Sequence, residues 1–201
     1  MRDYEYEHDS TYCYPESKVL KNKLNIKDAS KLIEAERNIT AIRILELKLE
    51  PPNGELNAGY YKALHYHIFQ DIYEWAGKTR TVNISKGSSF CSFQYIDLQL
   101  DELFQKLNMN IPAMMQQDSI YLELAYYLSE LNAIHPFREG NTRTTAVFII
   151  KYLRSLGYNV SNDIFAKHSW YFRNALVRAN YTNIQKQIYM DTSFLENFFK
   201  N

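Results

Sequence analysis

Two apolar runs at helical spacing flank one short polar stretch, and this arrangement limits the fold more than any other feature of the chain. Ile120, Leu124, Tyr127, Leu128 and Leu131 recur three or four residues apart, the period of a single buried helix face. Val147, Phe148, Ile150, Tyr152, Leu153 and Leu156 form a second run that stops before Gly157. Between them lies His135-Pro136-Phe137-Arg138-Glu139-Gly140-Asn141-Thr142-Arg143. A proline pushes the preceding residue out of the α region, so Pro136 should end the first helix. The Gly-Asn pair starts the second, whose first amide N–H groups lack partners inside the helix and carry the positive end of its dipole. Such a start attracts anions. His135, Glu139 and Arg143 add a proton acceptor, a Mg²⁺ ligand and a phosphate clamp, a set that points to nucleotide chemistry.

The remaining composition suits an all-α bundle with one small β-hairpin. The chain has 201 residues, enough for one domain with a sizeable core. Five prolines and six glycines are few, which favours helices over a turn-rich β fold. Lysine plus arginine equal aspartate plus glutamate at 23 each. A neutral chain lacks the basic footprint expected for nucleic acid or an anionic membrane, and no apolar run approaches a membrane span. Cys13 and Cys91 share no metal or redox spacing. They read as free thiols, and the charged start without an apolar leader points to a cytoplasmic protein.

Along the chain, residues 1–22 read as an extended arm and 23–201 as one domain with its core at about 55–200. Asp28 caps a helix over 29–49, with Leu32, Ile33, Ile39, Ile42, Leu45 and Leu49 near one face. Further helices are expected at 57–69, 95–109, 119–134, 142–156, 163–180 and 191–200. Thr81–Ile84 and Phe90–Phe93 read as two short strands around Ser85-Lys86-Gly87-Ser88-Ser89. His65 and His67 are two apart, so they do not share a helix face; they read as surface or supporting residues. Arg138 reads as a solvated charge and Phe137 as a core anchor.

The motif resembles that of the Fic family, His-x-Phe-x-Asp/Glu-Gly-Asn-Gly-Arg. Asp71-Ile72-Tyr73-Glu74-Trp75-Ala76-Gly77-Lys78-Thr79-Arg80 is similar to the segment leading into the Fic flap, and Asn83-Ile84-Ser85-Lys86-Gly87 to the flap itself. Met1-Arg2-Asp3-Tyr4 and Asn22-Lys23-Leu24-Asn25-Ile26-Lys27-Asp28 resemble the start of Fic toxins of bacterial toxin–antitoxin pairs. The resemblance implies transfer of AMP from ATP to a Ser, Thr or Tyr hydroxyl of a target protein. By it His135 is the general base, a role that imidazole suits near neutral pH. Glu139 then holds Mg²⁺, Gly140, Asn141 and Thr142 face the phosphates, and Arg143 clamps one of them. Ile84, Lys86, Gly87 and Phe90 dock the target by strand addition. A small antitoxin is an implied partner, and Thr192 with Glu196 fits the pattern of an inhibitory helix.

Two positions depart from the family pattern: Thr142 replaces a second glycine, and Ala146 replaces a second arginine three residues after Arg143. They raise an alternative, a degenerate scaffold that binds nucleotide or protein without efficient transfer. A kinase-like transfer of another phosphate-containing group is a further alternative, against which Gly140 and Thr142 argue.

Overall fold

The computed structural model describes residues 9–49, 54–85, 90–114, 120–161 and 163–200. Eight helices account for most of them: α1 (Ala29–Leu49), α2 (Ala58–Phe69), α3 (Ile96–Met114), α4 (Ile120–Ile134), α5 (Asn141–Ser155), α6 (Asp163–Lys167), α7 (Ser169–Asn180) and α8 (Ser193–Lys200). Short 3₁₀ turns stand at Phe93–Tyr95 and Ile184–Lys186. Among the described residues no helix is long and apolar enough to cross a membrane. Helix starts follow their capping residues. The Asp28 carboxylate accepts from the Lys31 N–H at 2.9 Å, and the Asn57 side chain accepts from the Tyr60 N–H at 3.0 Å, each relieving an orphan amide of the first turn.

Helix α5 is the central element. Thr144, Thr145 and Val147 to Leu153 are buried along it, so its surroundings leave almost no face to solvent. Helix α2 packs on one side of it and α4 on another, with α3, α7 and α8 against α4 and α1 against α2. The core centres on Tyr61, whose ring stacks on Phe137 at 5.5 Å and meets Phe104 and Phe148 at 5.6 and 5.7 Å. The Tyr61 hydroxyl shares a 2.9 Å hydrogen bond with the Thr145 hydroxyl. A buried hydroxyl is costly to leave unpaired, so this bond ties α2 to α5 in one register.

Four expectations are corrected. Helix α1 buries Leu32, Thr40 and Leu47, whereas Ile33, Ile42 and Leu45 are exposed. Its inner face runs through Glu36, Thr40 and Arg43, because those polar groups have partners on neighbouring elements. The 163–180 segment breaks at His168, which leaves α geometry at φ −113°, ψ 24°. The break sets Phe165 edge-on against Phe172 at 4.9 Å, with Phe198 of α8 against both. Among the described residues, 81–84 and 90–93 form no strand. Phe93 instead opens the 3₁₀ turn into α3, and Lys86 and Gly87 lie outside the described residues.

Arg138 is the fourth correction. Its side chain is 2% exposed and pairs at 3.0 Å with Asp9, itself 6% exposed. The guanidinium also lies over the Tyr12 ring, and the Tyr12 hydroxyl accepts from the Thr81 N–H at 3.1 Å. Residues 9–22 are thereby fastened to the motif loop and to the segment before the flap. Breaking a buried ion pair from one side leaves an uncompensated charge, which costs about 3–5 kcal/mol. Arg138→Met is expected to destabilise the chain by about that amount in chemical unfolding. Asp9→Leu combined with Arg138→Met should recover at least half of the loss, because no buried charge then remains unpaired.

Candidate active site

The link between α4 and α5 is held by contacts that leave its backbone little freedom. The His135 N–H still bonds the Leu131 carbonyl at 3.2 Å, but His135 itself is left-handed, φ +47°. A non-glycine residue there stores about 1–3 kcal/mol and persists only where its surroundings over-determine it. Those surroundings are specific. The buried Arg80 side chain donates to the carbonyls of His135 (2.9 Å) and Ile134 (3.2 Å), and the Arg80 N–H donates to the Pro136 carbonyl at 2.8 Å. Phe137 is fully buried under Tyr61. Asn141 closes the loop: its Oδ1 accepts from the Phe137 N–H at 2.9 Å, and its Nδ2 donates to the Phe137 carbonyl at 2.8 Å. The sequence suggested that this carboxamide faces a phosphate; the structure turns it inward to the loop, leaving the Asn141 backbone N–H at the helix start.

Gly140 sits at φ +84°, and a Cβ there would lie 2.2 Å from Cζ of Phe69. Only glycine fits, because both the backbone angle and the space exclude a side chain. No side chain caps α5 at this point, so its first amides point outward.

Beneath the loop lies His65, which is fully buried rather than on the surface. Its ring stacks on Phe137 at 3.7 Å and on Phe69 at 4.7 Å. Nδ1 accepts from the Gly77 N–H at 2.8 Å, which fixes the neutral tautomer with the proton on Nε2. Nε2–H therefore donates to the Glu139 carbonyl at 3.0 Å. Burial pushes its pKa down to about 3. Gly77 is itself required, since at φ +77° a Cβ would stand 2.8 Å from Cβ of Tyr66.

The groups facing the site converge at the start of α5. The His135 imidazole is covered by the Phe90 ring, stacked at 3.9 Å with an interplanar angle of 15°. The Glu139 carboxylate accepts from the Gly140 N–H at 2.9 Å and lies 3.8 Å from Arg143. Arg143 is already engaged by α1: one nitrogen pairs with Glu36, another donates to Thr40 Oγ1 at 3.1 Å, and the guanidinium lies 4.8 Å above the Phe69 ring. Glu36 also accepts from the Tyr73 hydroxyl. Sequence patterning missed Glu36 because it sits among the apolar positions of α1. The signal available was its spacing from Leu32 and Thr40, which makes it share their face.

Thr142 and Ala146 line one wall of an apolar cleft of about 220 Å³. Ile44 and Leu47 of α1 and Phe165 and Phe172 line it further, and Arg143, Lys151 and Arg154 also border it. The Glu196 carboxylate of α8 accepts from the hydroxyl of Thr192, just before the helix, at 3.2 Å, and α8 packs on α4 and α7. Ile84 is buried and its carbonyl accepts from the Phe90 N–H at 3.3 Å. Among the described residues no cluster of three His, Cys, Asp or Glu gathers to hold a metal.

A sequence model of the Fic/DOC family matches residues 55–153, the stretch that holds α2, the flap and the whole motif loop. The chain is 40% identical over 154 residues to "Probable protein adenylyltransferase y4lH" of Sinorhizobium fredii, covering 75% of this chain and 79% of that one. The chain belongs to the Fic/DOC family. It is also 34% identical over 207 residues to "Protein adenylyltransferase VbhT" of Bartonella schoenbuchensis, covering 96% of this chain but 43% of that longer relative. The N-terminal Fic domain of a VirB-translocated Bep effector protein of Bartonella quintana, solved with bound ADP, superposes with a TM-score of 0.69 at 26% identity, covering 94% of this chain and 92% of that one.

In this Fic domain the state of His65 is testable. Its folded pKa lies below the ordinary value near 6.5, so the unfolded chain binds the proton first as pH falls. Its contribution to stability is complete above about pH 6.5 and is lost at up to about 1.4 kcal/mol per pH unit between there and about pH 3. Ring ¹⁵N shifts should show His65 still neutral, with Nε2 protonated, at pH 5. A titration near 6.5 would contradict the buried neutral assignment.

Proposed function

We propose that this chain is a protein adenylyltransferase that moves AMP from ATP to a Ser, Thr or Tyr hydroxyl of a target protein. The observation that carries the reading is the meeting of His135, Glu139 and the uncapped amides of α5 at one rigid turn, in a family whose relatives carry that activity in their names. In the reaction the target hydroxyl oxygen bonds to the α-phosphorus as its proton passes to the His135 imidazole. The bond from that phosphorus to the bridging oxygen breaks, and pyrophosphate leaves. Positioning and charge neutralisation dominate such transfers.

The first amides of α5 receive phosphate oxygens. Glu139 fits a Mg²⁺ ion, because a single partly exposed carboxylate beside phosphates is the usual protein share of its ligands. When bound, that ion neutralises phosphate charge; Glu139 and the α5 amides orient the chain of phosphates toward His135. Gly140 and Asn141 keep this surface rigid, and Arg143 adds positive charge beside it. Ile84, Lys86, Gly87 and Phe90 belong to the flap on which a target segment docks, and a small antitoxin and the Thr192/Glu196 helix stand as regulators.

His135→Ala should abolish AMP transfer to lysate proteins, at least a hundredfold, while nucleotide affinity stays within about twofold. A base acting in the transition state contributes about 10²–10⁴-fold. Undiminished transfer would remove His135 from the role.

One observation favours the weaker-enzyme reading: Thr142 and Ala146 line the apolar cleft beside Arg143, and neither side chain carries a charge that could hold a phosphate. The cleft has room for a long side chain. Thr142→Gly with Ala146→Arg is therefore expected to raise transfer at least tenfold, equivalent to about 1.4 kcal/mol of barrier. The added guanidinium would anchor the terminal phosphate and hold the in-line geometry. Equal, robust transfer by both chains under the same ATP and Mg²⁺ would show that the natural motif is fully competent.

A further inference from the structure

Arg80 is buried to 1% exposure, and its bonded partners named above are backbone carbonyls rather than carboxylates. Nε and Nη2 reach His135 and Ile134 at the end of α4. Nη1 donates to the Val82 carbonyl at 2.7 Å, in the segment entering the flap. Nη2 also reaches the Cys91 carbonyl, in the segment leaving it. Backbone bonds run parallel to these: Arg80 N–H to the Pro136 carbonyl, and Cys91 N–H to the Ala133 carbonyl at 3.0 Å. One planar guanidinium therefore joins both ends of the flap to the carbonyls of Ile134, at the end of α4, and of His135, which follows it. Those carbonyls form the negative end of the α4 dipole, where a cation is favoured.

A buried cation without a carboxylate partner is costly to retain for stability alone. What an arginine supplies here, and an apolar residue cannot, is a fixed in-plane fork with donors for several acceptors at once. We propose that Arg80 is a positioning residue that locks the two ends of the flap to the backbone of His135, and so sets where a docked target segment lies relative to the imidazole. This rests on the reading of His135 as base and of the flap as the target's docking edge. Lysine keeps the charge but offers one compact ammonium, which cannot span the four carbonyls.

The test combines readouts that do and do not need activity. In the unaltered chain, the Arg80 Nε–H should exchange with solvent at least a hundredfold more slowly than a free guanidinium. Exchange at the free rate would overturn the proposal even if no variant folds. In Arg80→Lys, the Phe90 and Cys91 amides should exchange at least tenfold faster while the α5 amides of Phe148 and Ile149 change less than twofold. The ring resonances of His135 should shift in the same variant. With α-labelled ATP and lysate proteins, transfer at saturating ATP should fall at least tenfold while the KM for ATP stays within twofold. Equal acceleration of the flap and α5 amides would show general loosening and overturn the proposal, as would unchanged flap exchange with unchanged His135 resonances. If the unaltered chain transfers no AMP, the adenylyltransferase reading fails on its own, and the exchange and resonance measurements still decide whether Arg80 couples flap and histidine.

Discussion

The active end of this molecule in the proposed reading depends on one short link whose polar groups are held partly by each other and partly by Arg80 and His65 from outside. Two residues within six, His135 and Gly140, take left-handed backbone angles, and each is tolerated for a different reason. At Gly140 the space a side chain needs is filled by the Phe69 ring. At His135 the strain is held by Arg80 from outside and by the Pro136 carbonyl's bond to the Arg80 N–H. Phe137 and Asn141 join the two bends, one through burial and one through its paired backbone bonds. Phe69 has a second task, since Arg143 lies over the same ring. A single aromatic side chain therefore sets both where α5 starts and where its first arginine lies.

Beneath this link, the support is aromatic and neutral. His65 stacks between Phe137 and Phe69 and bonds the Glu139 carbonyl from below. Because burial keeps it uncharged, it adds a directional hydrogen bond under the site without adding a positive charge that would compete with Arg143. The Gly77 N–H fixes which nitrogen carries the proton, so the turn before the flap and the turn before α5 are oriented by opposite edges of one imidazole.

Much of this was readable from residues. Pro136 ends α4, the Gly-Asn pair begins α5, Asp28 and Asn57 cap their helices, and Phe137 is buried, all for local reasons that spacing and side-chain chemistry expose. What spacing could not show depended on partners distant in the chain. Arg138 looks solvated until Asp9, far from it in sequence, reaches it. Three of the apolar residues expected on the inner face of α1, Ile33, Ile42 and Leu45, are turned to solvent, because Glu36, Thr40 and Arg43 find Arg143 and Asp71 instead. Hydrophobic periodicity assumes that burial follows polarity; a helix facing charged partners reverses that assumption. Arg80 was visible only as the last residue of a family-like segment, and its fourfold reach across α4 and the flap has no one-dimensional signature.

The charges gathered on Arg143 give the nucleotide reading its physical shape. Burial alone would lower the basicity of its guanidinium, but Glu36 and Glu139 outweigh this and hold it above the ordinary arginine range. Burial, reinforced by the Glu36 carboxylate, keeps the Tyr73 phenol well above its ordinary range, so its hydroxyl remains a donor to Glu36. Two carboxylates therefore share one guanidinium at the mouth of an anion-attracting helix start. That balance leaves one net negative charge beside the place where phosphates would lie. Outward amides alone must then work against local repulsion. A divalent cation accompanying the nucleotide would reverse the sign at Glu139, the carboxylate of the pair with more open access, 28% against 14% for Glu36. In the reaction proposed above, the carboxylate that would repel a bare polyphosphate would become its anchor once a Mg²⁺ ion compensated the charge.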